Sequence, residues 1–220
     1  INVPDLLGHV AHTGRGQDKE RSVHVLSSGR YKELLDMTKT RSAKRHCEEI
    51  LCAGFGGQGI MFMGKLLALA GLLADKYVTW MPSYGAEVRG GTAYSMVKIS
   101  DGEIASPIVI NPDVLIVMNK PSLVKYEGQL KEGGILISNK TLVGDVHKRK
   151  GITTVNIPLT EAAAKLGDIR SANMIAIGAL AKRSRVLSIR NITAALAVAF
   201  KNNEELLLRN KKALEKGYKW

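Results

Sequence analysis

The pattern of apolar and polar positions changes along the chain, and the change falls near residue 47. Residues 1–46 are polar, with Gly8, Gly14, Gly16 and Gly29 scattered among them; residues 22–26 read as a short strand and residues 31–37 as a short helix. Beyond them, apolar runs alternate with helical stretches, the rhythm of a sheet with helices packed on it. Ile50-Leu51-Cys52-Ala53 reads as a buried strand, residues 60–70 as a buried helix, and residues 77–81 as a second strand closed by Pro82. Residues 93–99 alternate as a strand, and Asp101-Gly102 turns it into a hairpin with residues 104–110. Residues 113–118, 135–138 and 153–157 read as further strands, and residues 122–130, 160–166, 173–181, 188–200 and 204–216 as helices. Thr160 and Ser188 are the expected caps, Gly217 is the expected helix stop, and Lys182, Arg183 and Arg185 are cations that complement a helix C-terminus. The predicted fold is α/β in three layers: a mostly parallel sheet, mixed by the hairpin, with helices on both faces and a Rossmann-like first strand-turn-helix. Residues 1–46 read as an arm or docking extension and residues 47–220 as the main domain. Because the chain opens with Ile1, the arm is expected to begin inside a longer polypeptide or to lie on a partner.

Two loops carry the candidate chemistry. Gly54-Phe55-Gly56-Gly57-Gln58-Gly59 joins the first strand to the first helix and fits the G-x-G-x-x-G pattern, in which backbone N–H groups and a helix N-terminus approach a phosphate. A nicotinamide site also needs an acid at the end of the next strand to hold the ribose, but that strand ends in Trp80-Met81-Pro82-Ser83, and Asp75 precedes it. The second loop runs from Pro82 to Thr92 and holds Tyr84, Glu87, Arg89, Gly90 and Gly91. Arg89 offers a planar fork to a carboxylate or phosphate; alternatively Glu87 and Arg89 hold the loop to itself or to another subunit.

Composition narrows the field. Thirty-two Lys and Arg against 20 Asp and Glu give a net charge of +12, which attracts nucleic acid, phosphate-bearing cofactors or acidic proteins. Aromatics are only 5% and form no stacking strip among the basic residues, which argues against single-stranded nucleic acid. Cys47 and Cys52 are too few for an iron–sulfur cluster or structural zinc without outside ligands, and they read as reduced thiols. His9 and His12, with Asp5 nearby, lack the further ligands of a metal set and read as surface residues; Thr40 to His46 reads as a solvated basic linker. Lys65 interrupts the longest apolar run and the N-terminus does not resemble a signal peptide, so a cytoplasmic protein with no membrane partner is expected. No nucleophile with a base, no serine elbow, no H-E-x-x-H pair and no P-loop lysine is visible, so no catalytic residue and no metal ligand is assigned.

The glycine loop at 54–59 and the stretch Trp80 to Ala93 resemble the two signature stretches of the gamma subunit of 2-oxoacid:ferredoxin oxidoreductases, closest in Trp80-Met81-Pro82-Ser83 to the 2-oxoglutarate and branched-chain branch. Further similarity lies at residues 106–109, 111–113, 172–178 and 213–218, so that it covers about residues 48–219. The family pattern often has Pro at the position of Ala86 and Asn-Cys at Tyr94-Ser95, and it has no counterpart of the arm before His46. The resemblance implies one part of a multi-subunit enzyme that oxidatively decarboxylates a 2-oxo acid with CoA to an acyl-CoA and CO2, reducing ferredoxin. Alpha, beta and ferredoxin-like delta subunits are the implied partners, with thiamine diphosphate, magnesium and 4Fe–4S clusters held there rather than in this chain. Gly54, Gly56, Gly57, Gln58, Gly59, Tyr84, Glu87, Arg89, Gly90 and Gly91 are then residues that face CoA or shape a subunit interface. The other reading is a stand-alone nicotinamide-dependent oxidoreductase using the glycine loop.

Overall fold

The computed structural model describes residues 46–84 and 92–220. The expectations for residues 1–45, including the arm and its short elements, and for residues 85–91 lie outside the described residues. The chain forms β1 (Cys47–Phe55), α1 (Ile60–Leu72), β2 (Tyr77–Tyr84), β3 (Thr92–Ser100), β4 (Val114–Val117), α2 (Lys120–Tyr126), β5 (Ile135–Asn139) and α3 (Lys140–Val143). There follow β6 (Thr153–Ile157), α4 (Leu159–Ala164), α5 (Ala172–Ala181), α6 (Ile189–Ala199) and α7 (Glu204–Tyr218). The strand order is β2-β3-β1-β4-β5-β6. β1, β4, β5 and β6 are parallel neighbours, whereas β3 runs antiparallel between β1 and β2. The sheet is thus mixed and mostly parallel, as its pattern predicts.

The continuous apolar runs follow from burial on both faces. Ile50, Cys52, Ile116 and Ile137 pack under α1, α4, α5, α6 and α7, whereas Leu51, Ala53, Leu115 and Leu136 point to a thinner layer with Leu123, Tyr126 and Val143. Helix α5 is buried at every position, because it lies between the sheet and α7. Burial also pushes the Cys52 thiol up to about 12, which makes it an inert core residue, while Cys47 is exposed. At the amino ends of the strands, Glu49 meets Lys98 at 2.6 Å and Lys131 at 2.9 Å, and Lys131 meets Asp113 at 3.0 Å.

Four local expectations are corrected. Residues 104–110 form no strand; the hairpin partner of β3 is β2, with Tyr77 opposite Ser100 and Tyr84 opposite Ala93. Pro107 lies within that segment and Pro112 follows it, both lacking the N–H a ladder needs, and Val109 N–H donates instead to Met96 Sδ at 3.4 Å. Pro82 does not close β2, which continues to Tyr84, because β2 is an edge strand whose outer side needs no donor. Thr160 does not cap α4; it is tied to Asn139, with Asn139 Nδ2 donating to Thr160 Oγ1 at 2.9 Å. Gly217 does not stop α7, which runs through it to Tyr218. Ser188 caps α6 as expected, in a reciprocal capping box with Asn191.

Gly217 serves a crossing rather than a stop. A Cβ there would stand 1.9 Å from the Ile175 carbonyl oxygen, and one on Gly178 would stand 2.1 Å from that of Leu214, so α5 and α7 touch backbone to backbone. Gly217→Ala is expected to lower the stability of the chain by about 2 kcal/mol through overpacking. A shift of the urea midpoint at unchanged slope measures it; an unchanged midpoint would show that the crossing yields without cost.

Candidate functional site

The strands place the first glycine-rich loop and the two described flanks of the second, Tyr84 and Thr92, at one edge of the sheet. β2 has the same direction as β1, so β1, β2, β4, β5 and β6 all end there, and β3 begins there, with Phe55 opposite Thr92 and Tyr84 opposite Ala93. Ligand crevices of α/β sheets form at this carboxyl edge. Of the residues singled out in the second loop, Tyr84 enters only through its backbone pairing with Ala93, and Glu87, Arg89, Gly90 and Gly91 lie outside the described residues.

The first loop is held by one side chain. Gln58 Oε1 accepts from Phe55 N–H at 2.7 Å and from Asn119 Nδ2 at 3.2 Å, and Gln58 Nε2 donates to the Met118 carbonyl at 3.3 Å. Gln58 is therefore occupied in tying the loop to the end of β4, and its amide is not directed at a ligand. Gly54 leaves room for this knot, since a Cβ there would lie 2.6 Å from Gln58 Oε1 and 3.0 Å from Met118 Cβ. Gly56 and Gly57 are exposed; Gly57 has φ of 93°, and a Cβ on it would have no neighbour within 4 Å. Gly59 begins α1 in the left-handed region, φ 74° and ψ 25°, without a side-chain cap. Among the described residues, the N–H groups of Gly56, Gly57, Gly59, Ile60, Met61 and Phe62 find no acceptor. The loop is thus braced on its inner side and presents bare donors on its outer side, the arrangement that suits an anion.

Other residues at this edge went unmarked by the sequence pattern. Asn119 caps α2 by accepting from Ser122 N–H at 2.9 Å; Asn139 pairs with Thr160; Ser138 Oγ donates to Asn156 Oδ1 at 2.7 Å. Their signal was present: Asn119 falls just past an apolar strand and Asn139 ends one, where a polar residue meets the carboxyl edge. Trp80 and Ser95 are joined by an indole N–H donated to Ser95 Oγ at 2.8 Å, over Gly64, so the Ser at the departing Tyr94-Ser95 position locks β2 to β3. Tyr94 packs against Tyr126 at 5.9 Å between ring centroids.

Beside the start of α1 lies a cleft of about 240 Å³ lined by Phe62, Arg170, Asn173, Phe200, Leu206 and Asn210, among others. Its floor is set by Asp168, which accepts from Arg170 N–H and the Arg170 guanidinium at 3.0 Å and from Arg209 at 3.0 Å. The Arg170 hydrogen bonds, with help from Arg209, hold the Asp168 carboxyl down at about 2. Among the described residues no group of three or more His, Cys, Asp or Glu comes together as a metal set, and no helix is long and apolar enough to cross a membrane.

A braced glycine loop thus lies at the carboxyl edge of a mixed α/β sheet. It is not a nicotinamide site, because the strand that would carry the ribose-holding acid is separated from β1 by antiparallel β3, and it ends in Trp80-Met81-Pro82-Ser83 without that acid. The chain belongs to the pyruvate ferredoxin/flavodoxin oxidoreductase family, whose model matches residues 49–220. It is 36% identical over 169 residues to a ketoisovalerate oxidoreductase subunit VorA of Methanothermobacter marburgensis, covering 76% of this chain and 35% of that one. The chain thus spans about a third of the length of the VorA relatives it matches. With 2-oxoglutarate synthase subunit KorC of Methanocaldococcus jannaschii it shares 37% identity over 188 residues, covering 83% of this chain and 97% of that one. Among solved structures it is similar to the gamma subunit of a keto/oxoacid ferredoxin oxidoreductase from Geobacter sulfurreducens, at a TM-score of 0.67, 30% identity, and coverage of 78% and 96%. It is also similar to the 2-oxoglutarate:ferredoxin oxidoreductase of Magnetococcus marinus with 2-oxoglutarate, coenzyme A and succinyl-CoA bound, at a TM-score of 0.70, 28% identity, and coverage of 79% and 30%.

Asp168 gives this region a pH signature. Its carboxyl is lowered from 3.8 to about 2 on folding, so its contribution is complete above about 3.8 and is lost as the pH falls toward 2. The stability difference between the wild type and Asp168→Asn is expected to be full at neutral pH and to shrink across that window in acid titrations of unfolding. A difference independent of pH would mean that the carboxylate charge carries nothing.

Proposed function

We propose that this chain is the gamma-type part of a multi-subunit 2-oxoacid:ferredoxin oxidoreductase, which converts a 2-oxo acid and CoA to acyl-CoA and CO2 and passes two electrons to ferredoxin. The observation that carries the reading is the family match across residues 49–220. It is supported by the near full-length coverage of KorC and of the Geobacter gamma subunit. The first residues of the second signature, and the KorC and VorA relatives, favour 2-oxoglutarate or a branched-chain 2-oxo acid over pyruvate. Alpha and beta subunits and a ferredoxin-like delta subunit are the proposed partners in the cytoplasm. Thiamine diphosphate and magnesium, held in those partners, supply the decarboxylation chemistry, and their iron–sulfur clusters carry the electrons.

Residues 47–220 act in this reading as the family domain and residues 1–46 as an additional docking segment. The loop at Gly54, Gly56, Gly57 and Gly59, together with Tyr84, Glu87, Arg89, Gly90 and Gly91, borders the path of CoA or the contact with a partner subunit. The bare N–H groups of the first loop fit the phosphates of CoA, and Gln58 keeps the loop in shape rather than touching the ligand. The basic balance of the chain favours the same anionic substrate and acidic partners.

Purification of the tagged full chain from its native cytoplasm is expected to bring down alpha- and beta-type partners, with 2-oxo-acid-dependent dye reduction that requires CoA. A chain that comes down alone, without that activity, would leave only the fold. In the assembled enzyme, Arg89→Ala is expected to reduce acyl-CoA formation on the order of tenfold, the equivalent of one lost charge-assisted hydrogen bond. Unchanged turnover and unchanged dependence on CoA would remove Arg89 from the CoA path.

A further inference from the structure

A cleft of about 420 Å³ lies on the other face of the sheet from α1, between α2 and the segment that joins α3 to β6. Leu123 and Val146, which pack with the apolar cluster of that face, form its floor, and Val124, 66% exposed, adds an apolar rim. Lys120, His147 and Arg149 line it as well, and Lys148 and Lys150 flank them, all exposed. The two acids of the lining do not cancel these cations. Asp145 is paired with Lys140 at 2.8 Å, and the Arg149 guanidinium donates to the Glu127 carbonyl oxygen rather than to its carboxylate. Lys98 and Lys131 are spent on Glu49, and Arg209 on Asp168, but among the described residues Lys120, Lys148, Arg149 and Lys150 make no ion pair. Residues 144–149 belong to no helix or strand, and the N–H groups of residues 145–148 find no backbone acceptor among the described residues.

We infer that this cleft is a docking groove for an extended, acidic segment of a partner protein. Its carboxylates meet Lys120, Lys148, Arg149 and Lys150, while one apolar side chain rests on Leu123, Val124 and Val146. A single small anion is best held by cations that converge on one point. Those at residues 147–150 instead follow one another along an exposed turn, which suits carboxylates spaced along a chain. The bare N–H groups of residues 145–148 offer main-chain donors to a segment lying beside them. No Phe, Tyr or Trp lines the cleft, so a nucleic-acid base finds nothing there to stack on. In such a groove the apolar floor supplies affinity and the cations supply selectivity and speed of encounter. The groove goes beyond the subunit reading, which gives this face no role, and stands without it.

Fluorescence anisotropy of the full chain with a short labelled peptide, made of Glu residues around one central Leu, tests the groove. Binding is expected to weaken as salt rises, and the peptide is expected to shift the amide resonances of residues 120–128 and 144–150. Lys148→Glu combined with Lys150→Glu is expected to weaken binding by about tenfold or more, and Val124→Asp by about tenfold. These side chains are exposed, so the variants keep the fold. Lys211→Glu combined with Lys212→Glu makes the same change of charge on α7, which packs on the other face of the sheet, and is expected to leave the affinity within about twofold. Equal losses from the two charge reversals would show that the net charge of the chain attracts the peptide and would overturn the groove. So would undiminished binding of a peptide with Gln in place of Glu, or with Gly in place of Leu. Displacement of the peptide from the same amides by a single-stranded oligonucleotide of equal charge and higher affinity would assign the face to nucleic acid instead. No measurable binding at low salt also overturns the groove, and none of these outcomes touches the family assignment.

Discussion

The side-chain amide of Gln58 sets the shape of the carboxyl edge. Its oxygen receives the Phe55 N–H at the close of β1, and its nitrogen reaches the carbonyl of Met118 at the close of β4. Two parallel strands that meet only through their ladder would otherwise let the connecting loop drift. With this bridge in place, Asn119 is drawn into the same cluster and in turn caps α2. One amide therefore joins the glycine loop, the end of β4 and the start of the next helix. Replacing it would leave the N–H of Phe55 to seek water at a partly buried position, where a lost partner costs about 1–3 kcal/mol, while the Met118 carbonyl would keep the Asn139 Nδ2 donor.

The glycines around this bridge are not equivalent. Gly54 is fixed by crowding, because Gln58, Ile60 and Met118 fill the space of any side chain. Gly59 combines crowding with a left-handed backbone, as it must start α1 beneath Asn173. Gly57 has open space and a positive φ, so what it contributes is a turn and an uncovered outer surface. Of the G-x-G-x-x-G glycines, Gly54 and Gly59 thus serve packing, while Gly56 and the neighbouring Gly57 face outward. This explains how a G-x-G-x-x-G loop can exist without a nicotinamide site.

How far the fold was legible follows from particular residues. Ile50 to Ala53 and the capping Ser188 announced their elements because an apolar run buried on both faces and a short polar cap are local signals, and Thr153 to Ile157 did so through its β-branched residues. The partner of β3 was not legible, because Asp101-Gly102 resembles a hairpin turn while β3 in fact pairs with the preceding strand β2. Pro82 misled for a related reason: its missing N–H matters inside a sheet and not on the outer side of an edge strand, and edge position is a tertiary fact. Gly217 looked like a stop because the carbonyl of Ile175 that requires it lies 42 positions away in sequence, at the crossing of α5 and α7. The site was half legible. The glycine loop announced itself, whereas Asn119, Asn139 and Asn173 are single polar letters beside apolar runs and gain meaning only where strands and helices converge.

Charge and site stand in an informative relation. The chain carries a net charge of +12, yet the described edge at residues 54–62 contains no Lys or Arg, and Arg170 and Arg209 spend their charge on Asp168. A long-range positive field raises the local concentration of an anion, while the neutral donors fix its position over a few ångströms. Separating attraction from positioning has a kinetic consequence. In the proposed reading, an anion held by backbone donors alone is released quickly, and the surrounding charge raises the rate of capture. In that reading, a lysine placed in the loop would strengthen the hold on an anion and slow its release.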